Sequence, residues 1–277
     1  MRFPRTATWL AAVIPAALIL STTIAAIPQS PPPAAAPVDA RIWIGRAAEI
    51  EEYLKTAPML KLEDLSVGVT KPKKAHLPPG GPVAYLAWKM LPPGIYNGFW
   101  ESYESEIAAY ELDKMLELNM VPPTVEKKHR GELGAAVMWV SPTKSFTDLG
   151  GAAAVKPPAD KLNAWNRQVV RAKMFDNLIA NIDPNQGNWL VDPSWNLVLI
   201  DHTRSFTTRR EMVHEMTRID AALWDRMKTL TEAQLKPVLS KLMGGGELRA
   251  ILQRRDRMQQ VIDALVKAKG ADAVFIK

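Results

Sequence analysis

Hydrophobic and polar positions change period several times along the chain, and each change marks an element. Residues 46–57, "RAAEIEEYLKTA", read as a short amphipathic helix. "EDLSVGVTKPKKAHL" (63–77) lacks that period and reads as two extended strands with a turn near Lys71-Pro72. After the turn "PPGGPV", the β-branched and aromatic mixture of "VAYLAWKML" (83–91) predicts a strand. "GFWESYESEIAAYELDKMLEL" (98–118) predicts a helix, with Ile107, Tyr110, Met115 and Leu118 near one face. Six apolar residues in a row, "AAVMWV" (135–140), leave no polar side and predict a buried strand.

Past a loop near Pro157-Pro158, "LNAWNRQVVRAKMFDNLIAN" (162–181) predicts another helix. A loop, strand, turn and strand follow in "NIDPNQGNWLVDPSWNLVLIDHT" (181–203). From Arg218 the tail is largely helical, with a capping-box pattern at Thr231 to Gln234 and Gly244-Gly245-Gly246 as a stop. No internal repeat interrupts this order. Strands first and helices later predict an α+β fold in two lobes: a small β-rich N-lobe at 41–140 and a larger helical C-lobe at 141–277.

The first forty residues are of another kind. Arg2 and Arg5 precede the uncharged run "LAAVIPAALILSTTIAAI", and "PQSPPPAAAPVDA" follows it. This is the order of a secretory signal, with small residues at Ala25 and Ala26 for cleavage. At about 18 residues the run also nearly spans a bilayer, so 1–27 reads as a signal peptide or a signal anchor. Residues 28–40 form a semi-rigid Pro/Ala-rich linker. With the positive charges on the N-terminal side, the remainder is expected to be exported, with membrane attachment if the segment is kept.

Composition narrows the chemistry. At 277 residues and 47% apolar, the chain can bury a core. A net charge of +6 without a dense basic stripe argues against nucleic acid as a partner. The absence of cysteine removes thiol catalysis and cysteine-ligated metal sites. The four histidines, His76, His129, His202 and His214, fit no metal-ligand spacing.

Asp183, Asn188 and Asp201 remain. They are either ordinary turn residues, as Asp192-Pro193 is, or they converge on a divalent ion. Phosphoryl transfer needs an Asp to orient the acceptor hydroxyl, and an Asn and a second Asp to hold Mg²⁺ on the phosphates. Asp-x4-Asn lets a tight loop present two side chains to one point, and the hairpin after it returns Asp201 beside them. Lys89, inside an apolar strand, is expensive unless it snorkels or pairs. Glu106 on the next helix is its natural partner, with Glu101 and Glu104 as competitors. "SVGVTKPKKAHL" stands where a phosphate-covering hairpin belongs, with Gly68 as its glycine; Lys71, Lys73 and Lys74 reach phosphates or form a solvated charge run.

"FDNLIANIDPNQGNWLVDPSWNLVLIDHTRSF" resembles the catalytic core of atypical kinases of the protein-kinase-like superfamily, nearest in pattern to the phosphatidylinositol 3/4-kinase and HipA-type branches. The resemblance covers about 35 residues closely. It implies a bilobed protein-kinase-like fold binding ATP with Mg²⁺ or Mn²⁺. Asp183 would be the catalytic Asp, Asn188 and Asp201 the metal ligands, Lys89 the phosphate lysine and Glu106 its partner. Met138, Trp139 and Val140 would be the hinge that meets adenine with backbone groups. Pro184 departs from the Arg or His usual there, and His202-Thr203 replaces Phe-Gly. The expected activity is transfer of a γ-phosphoryl group to an acceptor whose class, protein, lipid or small molecule, stays open. A pseudokinase that binds nucleotide or a partner, and a nucleotidyl transferase, are the alternatives.

Overall fold

The computed structural model describes residues 38–65, 72–183 and 185–277. The apolar leader, most of the linker, Gly68, Lys71 and Pro184 lie outside them. No helix among the described residues is long and apolar enough to cross a membrane.

The first part of the described chain is a sheet between two helices. α1 (Ala47–Thr56) is followed by β1 (Lys61–Asp64), β2 (Lys73–His76) and β3 (Tyr85–Lys89). A hairpin of β4 (Gly94–Tyr96) and β5 (Phe99–Glu101) leads into α2 (Tyr103–Met115), and then come β6 (Thr124–His129) and β7 (Glu132–Met138). The five-stranded sheet runs β1-β2-β3-β7-β6, antiparallel throughout.

Alternation along β7 explains its unbroken apolar run. Ala136 and Met138 pack with Ile50, Leu54, Leu86 and Trp88 on the α1 side. Ala135 and Val137 pack with Tyr103 and Ile107 of α2 on the other. Both faces are covered, so neither needs polar residues.

The second part is helical around a small sheet. β8 (Lys144–Ser145) precedes α3 (Leu162–Ile179), and β9 (Trp189–Val191) and β10 (Leu197–Leu199) complete a sheet of order β10-β9-β8. β11 (Ile219–Asp220), α4 (Ala221–Met227), α5 (Glu232–Leu239), α6 (Gly245–Lys269), α7 (Ala271–Val274) and β12 (Phe275–Ile276) follow, with β12 returning parallel to β11. Phe175, Leu178, Leu223, Leu235, Ile251 and Met258 sit in its core.

Three sequence expectations change. The helix expected over 98–118 starts only at Tyr103. Asn97 and Gly98 both take positive φ, at 50° and 83°, the Asn-Gly turn that closes a two-residue hairpin, so Phe99–Glu101 is strand. Ser102 then caps α2 by accepting from the Glu104 N–H at 3.0 Å. Strand β6 was unmarked because "TVEKKH" carries too many charges for a simple alternation. The glycine triplet does not stop a helix: α5 has already ended at Leu239, and Gly244 is the N-cap of α6. The capping box at Thr231 and Gln234 is present.

Candidate active site

Register places the candidate lysine. Lys89 pairs with Ala135 across β3 and β7, so it shares the face that packs on α2. There its ammonium meets the Glu106 carboxylate directly and donates to Asp201 Oδ1 at 2.8 Å. The side chains of Lys89 and Glu106 are only 8% and 2% exposed, so this is a desolvated pair. Burial works against the ammonium, yet Asp201 and then Glu106 outweigh it and hold its pKa above the lysine range. For Glu106 burial again opposes the charge, while Lys89 and His202 prevail and pull it down to about 2.

In the stretch 181–203, Asn188 ties Asp183 to the strand that leads to Asp201. α3 ends in Ala180, in the left-handed conformation at φ 53°, which turns the chain toward Asp183. Asn188 Nδ2 donates to Asp183 Oδ2 at 3.3 Å, and the Asn185 N–H donates to Asp183 Oδ1 at 3.0 Å. The Ile200 N–H donates to the Asn188 carbonyl at 3.0 Å, which sets Asp201 beside Asn188. Asp201 has φ 62°, a strained backbone for a residue with a side chain, and its carboxylate also accepts from Thr203 Oγ1 at 3.2 Å. Asp192 is the turn residue it was expected to be, accepting from the Asn196 N–H at 2.7 Å and the Ala40 N–H at 2.9 Å.

Three of these side chains border a cleft of about 350 Å³. Lys89, Asn188 and Asp201 line it, with Ala87, Val140, Leu190 and Ile200 as apolar walls and Met138 and Trp139 along one edge. The Met138 N–H is bound to the Pro123 carbonyl at 2.8 Å and the Trp139 N–H to the Tyr85 carbonyl at 3.2 Å. Those two donors are therefore already used by neighbouring backbone.

Other expectations divide. Glu101 pairs with Arg204, whose Nε donates to it at 2.9 Å and whose guanidinium lies 4.4 Å from the Phe99 ring centroid, so Glu101 is no rival for Lys89. Arg204 is thus tied to the β4–β5 hairpin, and Arg209 lies 3.6 Å from Glu211 at the surface. Lys73 pairs with Asp64 at 2.8 Å, and Lys74 lies over the Tyr85 and Trp139 rings at 4.0 and 4.5 Å. Lys73 is thus engaged by a carboxylate and Lys74 by two aromatic faces, and both are half-buried. His202 is buried edge-on against Phe175, with Nδ1 at 3.8 Å from Glu106 Oε2.

Sequence analysis does not single out three supporting residues, Lys127, Asp113 and Arg254. Lys127 of β6 caps α1, donating to the carbonyls of Leu54, Lys55 and Ala57 at 2.9, 2.9 and 2.8 Å. Asp113 accepts the N–H groups of Asn119, Met120 and Val121 at 3.1, 2.9 and 3.0 Å, and burial lifts its pKa to about 6 against those bonds. Arg254 of α6 is fully buried; it donates to the Leu178, Thr207 and Arg209 carbonyls at 2.7, 3.0 and 2.6 Å. Asp113 is the only one with a readable clue, a charge set among the apolar positions of an amphipathic helix.

Asn188 and Asp201 offer hard oxygen donors at the mouth of the cleft, the type that suits Mg²⁺ or Mn²⁺. Two protein ligands beside an open cleft fit an ion that shares its remaining positions with phosphate and water.

A sheet lobe flanked by helices and followed by a helical region is an atypical protein-kinase-like fold. Among solved structures, the Golgi casein kinase with Mn/ADP bound matches with a TM-score of 0.61 at 12% identity, over 83% of this chain and 78% of that one. A second crystal structure of the Golgi casein kinase gives 0.60 at 12% identity, over 83% and 77%. The Helicobacter pylori proinflammatory kinase CtkA gives 0.50 at 10% identity, over 78% and 96%. No protein-family model matches the chain, and no curated protein matches it in sequence.

Proposed function

We propose that the protein is an ATP-dependent phosphotransferase that moves the γ-phosphoryl group to an acceptor hydroxyl. One observation carries this reading. The Lys89 ammonium bridges Glu106 and Asp201 at the cleft, and Asn188, which also lines the cleft, donates to Asp183. A binding module has no need for all five groups in this relation. Likeness to a kinase solved with Mn/ADP supports the nucleotide and the metal.

In this reading Lys89 holds the phosphates, and Glu106 fixes Lys89. Asn188 and Asp201 would hold Mg²⁺ or Mn²⁺, which when bound neutralises charge on the phosphates. Met138, Trp139 and Val140 meet the adenine; with two N–H groups engaged, recognition falls to their carbonyls and to Val140. Asp183 orients the acceptor hydroxyl and takes its proton. Residues 41–140 and 141–277 act as N-lobe and C-lobe, and residues 1–27 direct the domain out of the cytoplasm. A reporter fused after Lys277 that is active only in the cytoplasm would overturn that last part.

Thermal shift with ADP and ATP, with and without Mn²⁺ or Mg²⁺, tests the site. Ligand at about a hundredfold over its Kd stabilises by about 2.7 kcal/mol. The shift is expected to need metal. Equal shifts in chelator would remove the Asn188 and Asp201 role; binding without turnover would make the protein a pseudokinase.

A further inference from the structure

Asp176 stands where a carboxylate is costly. It lies in the last turn of α3, at the negative end of the helix dipole, and that turn carries no basic residue. The residue is 3% exposed, so its side chain is also taken out of water. An apolar residue would carry neither cost. Two side chains hold it instead: Asn181 Nδ2 donates to Asp176 Oδ1 at 3.0 Å, and His214 Nε2 lies 3.2 Å from Asp176 Oδ2. Asn177, the next residue of α3, fixes His214 by its backbone. Its Oδ1 accepts the Val213 and His214 N–H groups at 2.8 and 2.7 Å, and its Nδ2 donates to the His214 carbonyl at 3.0 Å. Asp176 in turn decides which way the Asn181 amide faces. An ionised carboxylate only accepts, so the amide NH₂ turns to Asp176 and Oδ1 turns to the loop, where it accepts the Asp183 N–H at 3.3 Å. A flipped amide would set donor against donor at Asp183.

We propose that Asp176 is a positioning residue: through Asn181 it holds the backbone of Asp183 in place, and His214 holds Asp176. The inference rests on the phosphotransferase reading for its effect on turnover, and on geometry alone for its effect on the loop. Asp176 acts by restricting the loop in which the Asp183 carboxylate is bonded to Asn185 and Asn188, and so by the aim of Asp183 at an acceptor hydroxyl. The bonds of Lys89 run to Glu106 and Asp201 and do not pass through this chain. Asn188 keeps its own tie to the Ile200 N–H at 3.0 Å. Loosening the loop at Asn181 therefore acts on Asp183 first and on the nucleotide side least. Because Asn177 delivers His214, the loop is also tied to the docking of the segment after Asp201.

The test reads the unliganded full chain by hydrogen exchange with mass spectrometry, and turnover separately by ADP release from ATP with Mn²⁺. Asp176→Leu should speed exchange in peptides covering Asp183 and Asn185 about fivefold or more. Peptides covering Val213 and His214, whose N–H groups Asn177 holds, should stay protected. In an active parent the same change should lower kcat about tenfold at an unmoved KM for ATP. Asn181→Asp alone sets carboxylate against carboxylate and should loosen the same loop. Adding Asp176→Asn returns a donor to face it, so the double variant should come back to within about threefold of the parent. Loss of packing alone would spread faster exchange to Val213 and His214, and the swapped pair would not rescue it. Unchanged loop exchange in Asp176→Leu, equal loosening of both regions, no recovery in the double variant, or an active parent whose kcat Asp176→Leu leaves alone would each overturn the proposal. If Asp176→Leu does not fold, Asn181→Asp with and without Asp176→Asn decides alone. The exchange pattern with its rescue, in a parent that releases no ADP, would keep the tie to Asp183 and end the phosphotransferase reading.

Discussion

Two lysines of one sheet, Lys89 and Lys127, are equally buried at 7% exposure and have opposite surroundings. Lys89 meets two carboxylates, which more than offset the burial of its charge. Lys127 meets three carbonyls at the end of α1, and burial pulls its pKa below the lysine range. Carbonyls that end a helix need a donor and nothing further. Two carboxylates around one ammonium, Glu106 buried and Asp201 partly open to a cleft, make an arrangement a polyphosphate can join. Burial alone does not single out a functional lysine; the charge of its partners and an open cavity do.

The contrast predicts separable losses. Lys89→Met should lower turnover by about a hundredfold to a thousandfold, read by ADP release at saturating metal and ATP. Lys127→Met should leave turnover per folded molecule near that of the parent and reduce stability by about 3 kcal/mol, read from urea midpoints. Reduced turnover in Lys127→Met at an unchanged midpoint would break the comparison.

Asp183→Asn sharpens it at the loop that Asn188 ties to the cleft. Turnover should fall about a hundredfold while ADP affinity holds, because Asp183 acts on the acceptor and Lys89 on the nucleotide. Full activity in Asp183→Asn would remove the loop from the chemistry.

The smallest effect is a difference of sign at alkaline pH. Lys89 has a folded pKa above its unfolded value of about 10.4, so its contribution is present below that pH and is lost as pH rises through the folded value. Lys127 has a lowered folded pKa, so the unfolded chain binds more protons just below about 10.4 and stability gains as pH climbs toward it. Midpoints of parent and variant between about pH 8 and 11 should therefore drift apart for Lys127→Met and together for Lys89→Met. Drift in the same direction for both would mean the two ammonium groups share one environment.

Much of the site was legible because its parts lie on strongly patterned elements. Lys89 announced itself as a charge in an apolar strand, and the period of α2 pointed Glu106 inward. Asp183, Asn188 and Asp201 were legible through spacing and turn chemistry. Lys127 was hidden because "TVEKKH" alternates weakly, and its partners are backbone groups some seventy positions away. Asp176 and His214 were hidden for a similar reason: 38 positions separate them, and neither sits in a recurring spacing. Asn97-Gly98 marks the β4–β5 hairpin, yet the helical period beyond Ser102 continues backward across it in the sequence and masks it.

Arg254 carries a consequence for how the protein comes into being. A single guanidinium from α6 fastens the end of α3 and the segment after Asp201 through three carbonyls. Synthesis is vectorial, and domains form as their residues emerge. The sheet lobe, the candidate loop and Asp201 all leave the ribosome before the residue that ties two of these segments together. A nascent chain arrested before Arg254 emerges should hold the sheet yet leave the segment after Asp201 open to protease, and emergence of α6 should close it. Competence would thus wait for α6, a helix made after the loop that it fastens.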